Sequence, residues 1–90
     1  MNIQFAGPLA KVLGHKRWVI RSGGQLTAEE VIVRLAHDFP QAEVFREVRR
    51  GKPPIPYMFM VIKNGKSLLR PHDRLDDQDE LEIIPPIMGG

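Results

Sequence analysis

Ninety residues bound this chain to one small domain with a modest core. At 42% hydrophobic and 27% charged, it has the composition of a folded globule, not of a disordered chain. The formal charge of +2 is mild, and the absence of Cys excludes thiol catalysis, disulfides and Cys-based zinc sites. Any sulfur chemistry must therefore use a group other than a side-chain thiol. Residues 1–10 carry no signal pattern and no apolar run approaches membrane-spanning length, so a cytoplasmic protein without a membrane segment is expected.

Taken in chain order, residues 1–5 alternate, with Ile3 and Phe5 on one side and Asn2 and Gln4 on the other, which predicts a half-buried strand. Ala6-Gly7-Pro8 breaks it, and residues 9–14 read as a short linker with room for one turn of helix. Residues 16–21 predict a second strand, with Trp18 and Ile20 facing one way and Arg17, Val19 and Arg21 the other. Its basic flanks suit a sheet edge guarded against self-pairing. Residues 27–39 carry the clearest helix. Thr27 and Glu30 have capping-box spacing, and Ala28, Val31, Ile32, Leu35, Ala36 and Phe39 form one apolar stripe. Pro40 stops it. Such a stripe must cover a sheet.

Residues 41–50 predict a shorter second helix with Val44, Phe45 and Val48 on its apolar side and Gly51 just past its end. Its basic stretch, from Arg46 through Arg49 and Arg50 to Lys52, reads as a solvated helix end. It lacks the interleaved aromatics of a nucleic-acid groove, so no nucleic-acid partner is expected. Residues 52–56 are a stiff Pro-rich connector. Residues 57–63 predict the strongest strand, Asn64-Gly65 a type I′ turn, and residues 66–69 the return strand. After a polar loop, Leu75 is expected to plug the core ahead of the acidic turn 76–79, and residues 80–84 form the last strand. The run from Tyr57 to Ile62 is apolar on both faces, while one helix covers only one face of a sheet. An exposed apolar patch follows, with Ile84 contributing, although the alternation does not say which set faces out.

The chain then ends in Pro85-Pro86-Ile87-Met88-Gly89-Gly90. Two terminal glycines bury no side chain and have the highest ordering entropy, so packing does not explain them. By chance a Gly-Gly end occurs in under ~1% of chains, which favours a functional reading. Pro85 and Pro86 hold the backbone extended, Ile87 and Met88 offer apolar grip, and Gly89 and Gly90 let a partner close around the backbone. Six extended residues reach roughly 20 Å, enough to enter a buried active site in another protein. The expected architecture is thus a domain over residues 1–84 and an extended arm over residues 85–90, whose reactive group is the Gly90 carboxylate.

The element order, together with Val61-Ile62-Lys63-Asn64-Gly65, the stretch from Leu75 through Asp76, Asp77, Gln78 and Asp79 to Leu81, and above all the run from Ile83 to Gly90, resembles the MoaD/ThiS family of ubiquitin-like sulfur carriers. It is most similar to the MoaD type, the small subunit of molybdopterin synthase. The element order covers the whole chain; the residue-level likeness is confined to the last third. The resemblance implies an α+β, β-grasp fold: a mixed sheet of four to five strands, covered on one face by one main helix, plus a short second helix. It implies a carrier that is not itself an enzyme. A ubiquitin-activating-type adenylyltransferase would use ATP to adenylate the carboxylate of Gly90, next to Gly89. A persulfide would convert it to a thiocarboxylate, and a sulfur-acceptor enzyme, such as a molybdopterin synthase large subunit, would consume it. Pro85, Pro86, Ile87 and Met88 would be the partner-binding tail. Neither a permanently bound cofactor nor a metal is implied. Two positions depart from the family pattern. Gln78 stands where Gly is usual, which would be strained if the turn needs positive φ there, and Met88 replaces a small residue.

Outside the tail, His15, His37 and His72 lack metal-ligand spacing, His37 lies off the apolar stripe, and the acidic turn lacks the pattern of a calcium loop. No pair of residues supplies a nucleophile and a base at plausible spacing. Three readings remain: a sulfur carrier for molybdopterin, thiamine or a tRNA base, a protein modifier joined to Lys through Gly90, or a non-catalytic interaction module.

Overall fold

The structure is a computed structural model, and it describes residues 1–55 and 58–85. Its centre is a five-stranded mixed sheet. The strands are β1 (Asn2–Phe5), β2 (Arg17–Val19), β4 (Met60–Lys63), β5 (Ser67–Leu68) and β7 (Glu80–Ile84), in spatial order β2-β1-β7-β4-β5. The first and last strands run parallel at the centre, with Ile3 opposite Leu81 and Phe5 opposite Ile83. The β1–β2, β4–β7 and β4–β5 pairs are antiparallel. Two short strands, β3 (Leu26–Thr27) and β6 (Arg74–Leu75), form a separate antiparallel pair that the sequence reading did not anticipate. Each has two residues, too few to show an alternation.

One face of the main sheet is the core. Ile3, Phe5, Phe59, Val61, Leu81 and Ile83 are buried on it, and α2 (Ala28–Asp38) lies against it through Val31, Ile32 and Leu35. The capping box at α2 is complete. Thr27 Oγ1 accepts from Glu30 N–H (3.1 Å), and Glu30 Oε1 accepts from Thr27 N–H (2.9 Å). His37 is exposed, as expected. The second helical segment is a 3-10 turn (Glu43–Phe45) followed by α3 (Arg46–Arg49), and it brings Phe45 and Val48 into the same core. Phe45 meets Phe59 with ring centroids 5.5 Å apart. This segment packs on the α2 side, and among the described residues no helix covers the opposite sheet face. The arrangement is the β-grasp expected.

Two elements differ from expectation. Residues 7–13 form a full helix, α1 (Gly7–Leu13), where a linker with room for one turn was expected. Pro8 stands in its first turn, Gly14 caps it at φ 76°, and Gly14 N–H donates to Ala10 O (2.8 Å). Pro inside the start and Gly past the end are helix punctuation, and Leu9 anchors the short helix in the core. The strongest strand begins at Met60, not at residue 57. Met58 and Phe59 both donate their N–H to Pro54 O (2.9 Å each), so Met58 is held in a turn; Tyr57 lies outside the described residues.

The basic stretch is used within the molecule. Arg49 donates from Nη1 to Ala36 O and Phe39 O (3.2 Å each) and from Nη2 to Ala42 O (2.6 Å). Ala36 O is in the last turn of α2, where carbonyls lack helical partners, so Arg49 closes that helix end and ties it to the turn through Phe39 and Ala42. Arg46 pairs with Glu43 (3.8 Å), and Arg50 and Lys52 with Glu47 (3.5 and 2.9 Å).

Candidate functional site

The site is the end of β7 and the sheet face beside it. β7 has a strand on each side from Leu81 to Ile83, with β1 also beside Glu80 and β4 also beside Ile84. At its last turn of hydrogen bonding, Ala6 N–H donates to Ile83 O (3.0 Å) on the β1 side, and Ile84 lies opposite Met60 on the β4 side. Pro85 follows, half-buried. The root of the arm is therefore anchored in the middle of the sheet. Of the six tail residues singled out from sequence, the described residues include only Pro85; Pro86, Ile87, Met88, Gly89 and Gly90 lie outside them.

Strand register settles which side of the apolar run faces out. Residues opposite one another share a face. Phe59 and Val61 face the core; Met60 and Ile62 face away from it, in line with Ile84, Glu82 and Leu68. Met60, Ile62, Leu68 and Ile84 make the expected apolar patch, with Met60 36% and Leu68 64% exposed. Towards β2 the same face becomes mostly polar, through Asn2, Gln4, Arg17, Glu80 and Glu82, with Val19 exposed among them.

Leu68 was missed from sequence, and the reason is its register. A two-residue turn at Asn64-Gly65 would put Leu68 opposite Val61, facing the core. Asn64 and Gly65 do take positive φ (52° and 72°), and Lys66 N–H bonds Lys63 O (3.0 Å). Lys66 is nevertheless one residue extra: Lys63 pairs with Ser67 and Ile62 with Leu68. The shift of one residue turns Leu68 outward and leaves Leu69 buried at the core, its N–H bonded to Val61 O (2.8 Å).

The acidic turn is a brace at the opposite end of β7 from the arm. Asp79 Oδ2 accepts from Asp76 N–H (2.8 Å), Asp76 Oδ1 from Gln78 N–H (2.9 Å), and Asn64 Oδ1 from Glu80 N–H (2.9 Å). Gln78 does not have positive φ, so its replacement of the usual Gly carries no such strain. Nearby, Asp77 Oδ1 accepts from Ser22 N–H (2.8 Å) and Ser22 Oγ (2.9 Å), and these bonds hold its carboxyl below the usual range. Glu30 is lowered by its bonds from Thr27, and Glu47 by the bond from Lys52. Among the described residues no three His, Asp or Glu side chains gather as a metal would need. What the described geometry offers is a strand end held between two neighbours with an apolar face beside it.

Comparison with known proteins agrees with this geometry. The fold is shared with two solved structures described as small archaeal modifier protein 1. The crystal structure from Haloferax volcanii has a TM-score of 0.76 at 24% identity, covering 100% of this chain and 98% of that one. The solution structure from Methanosarcina acetivorans has a TM-score of 0.67 at 21% identity, covering 99% of this chain and 94% of that one. These define the class as ubiquitin-like β-grasp. A model of the ThiS family matches residues 3–90, and the chain belongs to that family. A search of the curated proteins gave no match.

Proposed function

We propose that this chain is a sulfur carrier whose payload site is the carboxylate of Gly90. The observation that carries the reading is the position of β7: the central strand of the sheet runs directly into Pro85-Pro86-Ile87-Met88-Gly89-Gly90. In the proposed sequence, a ubiquitin-activating-type adenylyltransferase catalyses attack of the carboxylate oxygen on the α-phosphorus of ATP, releasing pyrophosphate. A persulfide sulfur then attacks the acyl-adenylate and AMP leaves. Attack of a second thiol on the resulting acyl disulfide forms a protein disulfide and frees the thiocarboxylate. A carboxylate is a poor electrophile until activated, and a thiocarboxylate is a soft nucleophile, so no carrier side chain is required. The acceptor most in keeping with the two-helix middle and the Pro-Pro arm is the molybdopterin precursor, delivered to the large subunit of a molybdopterin synthase. The patch of Met60, Ile62, Leu68 and Ile84 is the face both partners would grip, because it is apolar, includes exposed Met60 and Leu68 beside half-buried Ile62 and Ile84, and adjoins Pro85 through Ile84.

A second reading is a protein modifier that forms an isopeptide bond from Gly90 to a Lys. The likeness to two small archaeal modifier proteins favours it. Tandem mass spectrometry after incubation with an activating enzyme, ATP and a sulfur donor separates the two. Fragmentation must localise the change, since oxygen-to-sulfur exchange is nearly isobaric with oxidation of one of the four Met residues. Sulfur on Gly90 that requires ATP and is lost when Gly89 and Gly90 are deleted supports the carrier. Lys-linked adducts from an otherwise unchanged terminus support the modifier. Neither product leaves only an interaction module.

A further inference from the structure

The first 28 residues contain Lys11, Lys16, Arg17 and Arg21 and no Asp or Glu. The fold gathers three of those cations at the corner where the arm begins. Lys16 O accepts from Phe5 N–H (2.9 Å), while on the other side of β1 Ala6 N–H bonds Ile83 O (3.0 Å). The Lys16 and Ile83 backbones are thus two strand spacings apart, about 10 Å. Lys11 comes to the same corner from α1: a shallow hollow lined by Phe5 and Gly7 is rimmed by Lys11, His15 and Lys16. Arg17 lies opposite Gln4, which lies opposite Glu82, so it belongs to the outer face, whereas Lys16 is level with core-facing Phe5; the cations therefore flank the β2 edge of this corner from both sides. Lys11, Lys16 and Arg17 are exposed, and among the described residues none of them forms an ion pair. Arg34, Arg46, Arg50, Lys52 and Lys63 each have a carboxylate within reach. Protection of a sheet edge accounts for Lys16 and Arg17 but not for Lys11, which is on a helix.

We propose that Lys11, Lys16 and Arg17 form a cationic docking surface for an acidic rim on the activating partner, beside the cleft that receives the arm. This rests on the carrier reading. The Lys16 backbone is about one Debye length at 0.1 M salt, roughly 10 Å, from the strand that leads into the arm. An extended arm of six residues spans roughly 20 Å, so these cations act on approach and orientation, not at the nucleotide. Exposed charges contribute little as static pairs, but they raise encounter rates by about 10- to 1,000-fold when the facing surface is complementary. The only Trp, Trp18, is half-buried, donates its indole N–H to Asp38 (3.0 Å) and packs its ring against His15 and Phe39 (centroids 4.9 and 4.6 Å), so it is engaged within the molecule.

The test compares two double charge reversals in the full chain, assayed with an adenylyltransferase of the ubiquitin-activating type that adenylates it. Lys11→Glu with Lys16→Glu changes the corner. Arg21→Glu with Lys66→Glu makes the same change of net charge at the other end of the sheet. Circular dichroism establishes that both are folded. The corner variant is expected to lose about 10-fold or more in kcat/KM at low salt, with the loss in KM. The deficit should shrink near 1 M salt, where the Debye length is about 3 Å. The control should stay within about two-fold. Equal losses in both variants, no loss in the corner variant, or single-stranded RNA competing with the enzyme for this corner would overturn the proposal and leave the carrier reading standing. If deletion of Gly89 and Gly90 spares adenylation, or no such enzyme adenylates the chain, both fail.

Discussion

Asp77 accepts hydrogen bonds from Ser22, and its Oδ1 lies 3.9 Å from the amine of Met1, which itself donates to Ile20 O (2.9 Å). One carboxylate therefore ties the start of the chain and the end of β2 to the acidic turn. Because its folded pKa is depressed, its stabilisation is present above the ordinary Asp value of about 3.9 and is lost as pH falls through the folded value. Asp77→Asn should lower the melting temperature at pH 7, and the difference from the parent should shrink as pH falls below the ordinary Asp range and through the folded value. A difference that persisted there would mean the effect is steric. At the start of α2, Thr27→Ala removes one half of the capping box and should cost about 1 kcal/mol in urea unfolding. That pair was legible in the sequence because its spacing is local. The brace from Asn64 to Glu80 was not, because it joins residues from separate elements.

At the scale of elements, the long helix and the turn at Asn64-Gly65 were legible because periodicity and positive φ are properties of a few neighbouring residues. Three features were not. In α1 the break signals Gly7 and Pro8 double as a helix start, and only the burial of Leu9 decides between the two. The β3–β6 pair rests on a long-range pairing of Leu26 with Leu75. The outward turn of Leu68 depends on the single extra residue Lys66. Arg49 belongs with these. It was read as the end of its own helix, yet its guanidinium closes the end of α2. Arg49→Met should cost about 2 kcal/mol, and Arg49→Lys should recover only part of that, since an ammonium cannot fork between Ala36, Phe39 and Ala42 carbonyls. Full recovery by Lys, read from denaturant midpoints, would show that charge alone matters. In the core between these helices and the sheet, Phe45→Ala should cost about 3–5 kcal/mol.

For the whole molecule, the alternation of residues 57–62 foretold a bare apolar face but not its identity, because both alternate sets are apolar. All helical segments gather on one side, and that places Met60, Ile62, Leu68 and Ile84 on the other. Leu68 is 64% exposed, so Leu68→Glu should change stability by no more than about 0.5 kcal/mol. If the patch is the partner face, the same substitution should raise the KM for adenylation about 10-fold or more, a buried charge being costly at an interface core. Unfolding and activation measurements on this one variant separate the two effects. An unchanged KM would move the partner face elsewhere.

The parallel β1–β7 pair has a consequence for synthesis. Asn2 lies opposite Glu80, so the middle of the sheet joins the beginning of the chain to nearly its end. Contacts so distant in sequence are slow to form, and closing so long a loop costs entropy before any hydrogen bond is gained. A chain emerging from the ribosome N-terminus first can form α1 and α2 early, but it leaves β1 without its parallel neighbour until β7 is made. The strand that holds the arm is thus the last part of the sheet to be synthesised. A truncated or misregistered chain lacks a rigid root, and an enzyme that requires the apolar face and the arm together would pass it over. If the chain is activated as proposed, activation would double as a check that its sheet is complete.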